Sequence, residues 1–155
     1  MSVRGLLRLP VQRFEDDRGW FAELRRDSLI PKGMVQTNVS FSRQGVIRGL
    51  HYHERGQDDL FVCLAGMARV VVLDRTTDAV FCEDIGDENL VALYVPGQHA
   101  HGFEALTDCL FSYHVTEEYD PSRPDEQNLP WNDPRVRHLW STTNPILSKR
   151  DSRTF

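Results

Sequence analysis

Gly45-Val46-Ile47-Arg48-Gly49-Leu50-His51-Tyr52-His53 reads as a β-strand entered from a glycine turn. Alternate side chains of a strand share a face, so His51 and His53 point the same way, with Arg48 just upstream. Two histidines at this spacing suit either a catalytic base or a metal clamp. What this chain does depends on which of those chemistries they serve.

Outward from this strand the chain keeps the same style. Short runs rich in Val, Leu, Phe and Tyr are bounded by Gly, Asp, Pro or Thr-Thr-Asp clusters. They predict strands over 6–12, 35–42, 46–53, 60–64, 68–74, 79–83, 90–95, 100–106 and 110–116, and one short helix over Phe21–Ser28. Such spacing implies an all-β fold, an antiparallel jelly-roll sandwich or barrel, rather than βαβ units. From Tyr119 onward proline-rich turns replace the alternation, and this irregular C-terminal segment is expected to wrap the barrel or cap its mouth. With 155 residues and no linker or repeat, one domain over 1–155 is expected.

Composition removes several functions. A net charge of −5 argues against a nucleic-acid partner, which selects basic surfaces, but not against a small anionic ligand held by local arginines. No apolar run approaches the roughly 20 residues of a membrane span, and the N-terminus has no signal-peptide core. Cys63, Cys82 and Cys109 are odd in number and each lies in an apolar run, so they read as small buried hydrophobes in a cytoplasmic protein.

Alternation also sorts candidate side chains. In the strand from Cys109, Phe111 and Tyr113 share one face while His114 takes the other, an exterior or interface position. His99, His101 and Phe103 share a face. If both inward faces line the barrel, Tyr113 and this histidine pair look into the same cavity as His51, a natural small-molecule site.

Taken together, these landmarks resemble one family. Asp16-Asp17-Arg18-Gly19-Trp20-Phe21, Gln36-Thr37-Asn38 followed by Ser40, Gly45–Tyr52, Pro96–Phe103, Tyr113, Trp131-Asn132-Asp133-Pro134 and Leu147-Ser148 with Asp151 are similar, in order, to the dTDP-4-dehydrorhamnose 3,5-epimerases. The resemblance implies a homodimeric jelly roll with no cofactor, acting on a nucleotide-linked 4-keto-6-deoxy sugar. It implies His51 as the base that removes a proton next to the ketone, Asp151 as its orienting carboxylate and Tyr113 as the acid on the opposite face. That division of labour is chemically sound, because imidazole titrates near neutrality and a phenol donates without charge. Arg18 and Arg48 would meet the diphosphate, Gln36, Asn38 and Glu126 the nucleotide base and sugar, Trp20 or Phe21 would stack, and His101 would line the substrate pocket.

Two departures reopen the question. The family pattern carries a lysine where this chain has Asp59, and a glutamine where it has His53. Removing an α-proton builds negative charge on the ketone oxygen, which an aspartate would oppose. The spacing G-x5-H-x-H-x5-D-x6-G over 45–66, with Pro96-x4-His101 later, resembles the metal motifs of the wider cupin superfamily. His51, His53, Asp59 and His101 would then hold one divalent ion, Fe, Mn, Ni or Zn. The base would pass to His99, His114 or a carboxylate, because His51 cannot be ligand and base at once. A plainer reading makes Asp59 a surface residue on a shortened loop. Three functions stay open: a metal-independent epimerase, a metal-dependent cupin isomerase or oxygenase, and a non-catalytic sugar-nucleotide binder.

Overall fold

A computed structural model describes residues 1–154. Its strands are β1 (Leu7–Pro10), β2 (Arg13–Asp16), β3 (Gly19–Ala22), β4 (Gln36–Ser42), β5 (Ile47–His53), β6 (Asp59–Ala65), β7 (Met67–Leu73), β8 (Val80–Gly86), β9 (Val91–Val95), β10 (Ala100–Ala105), β11 (Cys109–Val115) and β12 (Glu126–Asn128). Two five-stranded antiparallel sheets face each other, ordered β1-β9-β6-β11-β4 and β12-β5-β10-β7-β8, and β2-β3 forms a separate hairpin. This is the expected jelly roll. Among the described residues the only helical pieces are 3-10 turns at Asp27–Leu29 and Arg137–Leu139.

Period-two alternation builds three apolar layers. Between the sheets lie Phe61, Cys63, Val70, Val72, Leu93, Phe103 and Phe111. The opposite faces of the same strands are also covered, which is why β6, β7 and β9 read as continuous apolar runs. Leu60, Val62, Ala92 and Tyr94 pack under the N-terminal segment. Ile47, Leu50, Val71 and Leu73 pack under Val136 and Trp140 of the C-terminal segment. That segment wraps the second sheet as expected: β12 pairs with β5, and Ile146 bridges to Val46.

Three expectations are corrected. Phe21–Ser28 is not a helix: Phe21 and Ala22 end β3, and Ala22 and Leu24 pack on the core at strand-like spacing while Trp20 and Phe21 stay exposed. A helix there would have no apolar stripe to bury. His99 precedes β10 instead of sharing its face. Its N–H closes a turn on the Pro96 carbonyl, and its ring sits by the Arg4 carbonyl and Asp74. Cys82 is exposed on β8, whereas Cys63 and Cys109 are buried, and all three are free.

The turn before His99 is fitted without slack. A Cβ on Gly97 would lie 1.6 Å from the Gln57 carbonyl oxygen, while the Gly97 carbonyl accepts the His53 N–H at 2.7 Å. Gly97→Ala is therefore expected to cost roughly 1–3 kcal/mol by forcing these segments apart. Gly33→Ala, whose Cβ meets its nearest side-chain atom at 3.5 Å, is expected to cost less. Urea unfolding of both variants checks the ordering.

Candidate active site

The apolar layer between the sheets stops short at one end, and polar side chains take over. Here β5 supplies Arg48, His51 and His53, β6 supplies Asp59, β10 supplies His101 and β11 supplies Tyr113. In register His101 lies opposite His51, and a bulge before Phe103 lets both strands keep their inward faces. An inner cavity of 520 Å³ opens there, with Phe61, Phe103 and Phe111 as its aromatic floor. An outer cleft of 710 Å³ adjoins it, lined among others by Gln36, Asn38, Arg55 and Arg123. Asp59, Tyr113 and Glu126 line both spaces and form their common wall.

His51 is the most constrained group in the inner cavity. Its Nε2 lies 2.8 Å from Asp151 Oδ1 and its Nδ1 lies 3.1 Å from Glu126 Oε1. Asp151 is buried, and it also accepts the Asn128 side-chain amide at 2.9 Å and the Gly49 N–H at 3.3 Å. Burial works against its charge, but the hydrogen bond and charge of His51 and the Gly49 N–H outweigh that and hold its carboxyl below the ordinary range. A neutral ring that donates to Asp151 presents Nδ1 as its proton acceptor. Tyr113, across the cavity on the other sheet, has its phenol pushed up chiefly by burial, so it stays protonated at neutral pH.

The second cluster lies beside the first. His101 is buried, and its Nδ1 pairs with the His99 carbonyl at 2.9 Å, which turns Nε2 toward Asp59 Oδ2 at 3.5 Å. Asp59 is buried, not a surface residue on a loop, and its Oδ1 accepts the Gln57 amide at 3.0 Å. Desolvation raises its carboxyl to about 7 and depresses His101 to about 3. His53 is also buried, with Nε2 3.3 Å from the Gln57 amide and Nδ1 without a partner. His51 is not in this group: of the four sequence-level metal candidates, His53, Asp59 and His101 come together.

The remaining candidates divide. Arg48 reaches from β5 to β4, donating to Ser42 Oγ and the Phe41 carbonyl, and lines the inner cavity. Gln36 donates to Asn38 and accepts the Tyr119 N–H at the outer cleft. Glu126 stands on the shared wall, ion-paired with Arg150. Arg18 and Phe21 line neither space: they stand on the β2-β3 hairpin, where Arg18 pairs with Asp16 in solvent. His99 lies outside both cavities, and His114 is buried against Thr37 on the far face of β11. Neither is placed to act as an alternative base. Arg150, Asn128 and Gln57 were not legible as site residues. Arg150 reads as part of a solvated tail, and neither amide stands out in a strand pattern.

A jelly roll with a carboxylate-held histidine and a protonated tyrosine on opposite walls of one cavity has the apparatus for acid–base chemistry on a small molecule. The chain belongs to the dTDP-4-dehydrorhamnose 3,5-epimerase family, whose profile matches residues 1–155. It is 36% identical over 140 residues to the spore coat polysaccharide biosynthesis protein SpsL of Bacillus subtilis, covering 85% of this chain and 92% of that protein. Among solved structures, NovW, a 4-keto-6-deoxy sugar epimerase from the novobiocin gene cluster of Streptomyces spheroides, superposes with a TM-score of 0.89. The two are 26% identical, over 100% of this chain and 84% of NovW. ChmJ, a 3'-monoepimerase from Streptomyces bikiniensis solved with dTDP-quinovose, superposes at 0.86 and is 27% identical, over 97% and 83% of the two chains.

Asp151 ties the chain end to β5, so its loss should be felt in stability. Asp151→Asn is expected to cost on the order of 1–3 kcal/mol at pH 7, because the amide cannot accept all the bonds the carboxylate does. The folded carboxyl titrates below its ordinary 3.8, so its stabilisation is complete above that value and lost as pH falls through the depressed one. The gap between wild type and variant is expected to hold from pH 7 to 5 and to narrow below pH 4, as read by urea unfolding across that range.

Proposed function

We propose that this protein is a cytoplasmic, homodimeric epimerase of a nucleotide-linked, probe-testable dTDP-type 4-keto-6-deoxy sugar in deoxysugar biosynthesis, with His51 as base and Tyr113 as acid. The observation that carries this reading is the pairing of His51 Nε2 with buried Asp151 at 2.8 Å while Tyr113 faces the same cavity. The ketone acidifies the neighbouring C–H. His51 Nδ1 takes that proton once substrate displaces Glu126, the C–H electron pair moves into an enolate, and Asp151 steadies the imidazolium. Tyr113 then returns a proton to the opposite face of the same carbon; the His51 imidazolium releases its proton to solvent and the Tyr113 phenolate takes one up. The net change is inversion at that centre with no atom gained or lost.

Arg48 supplies a guanidinium beside the reacting cavity, suited to a phosphate oxygen. The outer cleft offers the amides of Gln36 and Asn38 for the rest of the nucleotide. Asp59 stands where the family pattern has lysine, so this reading includes a variant outcome: inversion at one centre, or a sugar other than the rhamnose precursor. ChmJ, a 3'-monoepimerase, sets a precedent for the former within this fold. The buried free thiols of Cys63 and Cys109 are in keeping with a reducing compartment. Among the described residues no helix is long and apolar enough to cross a membrane.

The dimer rests on two exposed apolar features. Val39 and Phe41 on β4, an edge strand, and Val35 just before it are each more than half exposed, and Phe14, Trp20 and Phe21 stand on the hairpin. Such surfaces are commonly covered by a second copy. A second copy would also give Arg18 and Phe21 a substrate to touch, since they line neither the inner cavity nor the outer cleft of their own chain.

Incubation with dTDP-4-keto-6-deoxyglucose in D2O, followed by NMR, is expected to show deuterium entering at C3, C5 or both. His51→Asn should slow exchange at least about 100-fold and Tyr113→Phe should slow inversion similarly. A folded wild type that exchanges at neither carbon, with this or other keto-sugar nucleotides, would sink the proposal. Analytical ultracentrifugation is expected to give twice the chain mass, and Val39→Asp with Phe41→Asp should yield monomer.

A further inference from the structure

We infer that His53, Asp59 and His101 form a divalent transition-metal site, distinct from His51 and adjoining it. The ligand atoms of these three buried residues all lie within 4.8 Å of one another. Ligands about 2.0–2.2 Å from an ion stand about 3 Å apart, so small side-chain movements would close the group around one. Two imidazoles and one carboxylate, leaving other positions open, is a donor set for Fe(II), Mn, Co, Ni or Zn.

Each member is prepared in the way a ligand would be. The His99 carbonyl takes His101 Nδ1–H, which leaves the Nε2 lone pair facing Asp59. Gln57 spans the other two, with its amide nitrogen 3.0 Å from Asp59 Oδ1 and 3.3 Å from His53 Nε2. Among the described residues His53 Nδ1 is buried with no hydrogen-bond partner, and Asp59 meets the neutral Gln57 amide and the His101 ring but no lysine or arginine. Buried polar groups left this way are costly; a cation would take up the Asp59 charge and one ring lone pair from each histidine together, with the His53 proton kept on the nitrogen that does not bind. Glu126, Asp125 and Glu117 add negative potential around His53, which favours a cation further. His51 is meanwhile bonded to Asp151 through Nε2, has Glu126 near Nδ1 and stands outside this group, so the site leaves the base its own role.

Such an ion would supply Lewis acidity toward a carbonyl oxygen at the wall the two cavities share. That use rests on the epimerase reading; the site itself does not.

The test uses untagged full-length protein purified without chelator, with metal content read by plasma mass spectrometry. The chelator-treated protein is then titrated with Co(II), following its visible absorption. The expected result is close to one ion per chain in one or both measurements, with a d–d spectrum and a rise in Tm on Co(II) addition. His101→Ala and Asp59→Asn should weaken Co(II) binding at least about 10-fold, and His53→Gln serves if either fails to fold. His51→Asn should leave it within about twofold. Wild-type protein that is folded, holds less than a tenth of an equivalent and gives no Co(II) spectrum overturns the site. So does Co(II) binding unchanged in every ligand variant. Metal bound at stoichiometry without deuterium exchange would uphold the site and overturn the epimerase reading; exchange in a protein that binds no metal would overturn the site alone.

Discussion

The hydrogen bond between Asp151 and His51 joins residues a hundred positions apart and organises much of the rest. It is made by an acid near the chain end, buried by the segment that carries it. For Asp151 to reach β5, the segment from Tyr119 onward has to cross the outer face of the second sheet. In doing so it lays Val136 and Trp140 over Ile47, Leu50 and Leu73, and adds β12 to the sheet edge. Apolar burial supplies most of the driving force, and the carboxylate fixes where the segment ends. One contact thus closes the cavity, orients the histidine and anchors the wrap.

How much of this the sequence reveals follows from what alternation can report. Of the strands that carry the site, β4 shows a clear period-two pattern, whereas β6 and β10 are covered on both faces and only their polar residues mark the side that meets the cavity. Alternation around these polar residues directs His51, Tyr113 and His101 into one cavity, and the strands place them there. Alternation fails at strand ends. His99 looked like a neighbour of His101 in register, but the chain is already turning there, and the turn aims its ring at Arg4. The β2-β3 hairpin is not legible in the sequence because it lies off the core: with charges at 13, 15, 16, 17 and 18 and its aromatics exposed, it has no buried face to betray it. Asp151 was named through family resemblance, not pattern, since no local periodicity reports a contact from an irregular tail.

Asp59 shows the difference between position and environment. The sequence puts an acid where the family pattern has a lysine and allows either a surface residue or a ligand. The structure buries it at the start of β6, between Gln57 and His101. An exposed aspartate would be an ordinary anion. The same residue desolvated is drawn toward neutrality and becomes a group that a proton or a cation must satisfy.

Desolvation is also what makes the two clusters different in kind although they share a wall. Phe61 stacks edge-on to both His101 and Phe111, and Phe103 lies parallel to Phe111 with ring centres 4.0 Å apart. This aromatic floor excludes water from below. Under it His101 is held neutral and Tyr113 keeps its proton, so both are fixed in one form at ordinary pH. His51 sits in different surroundings, with the carboxylates of Asp151 and Glu126 brought to its ring. A positive charge on that ring would meet partners already in place, with little left to reorganise. The fold thus gives histidines on neighbouring strands different surroundings, carboxylates around His51 and aromatic rings beside His101. It does so with one sheet register and no change in backbone plan.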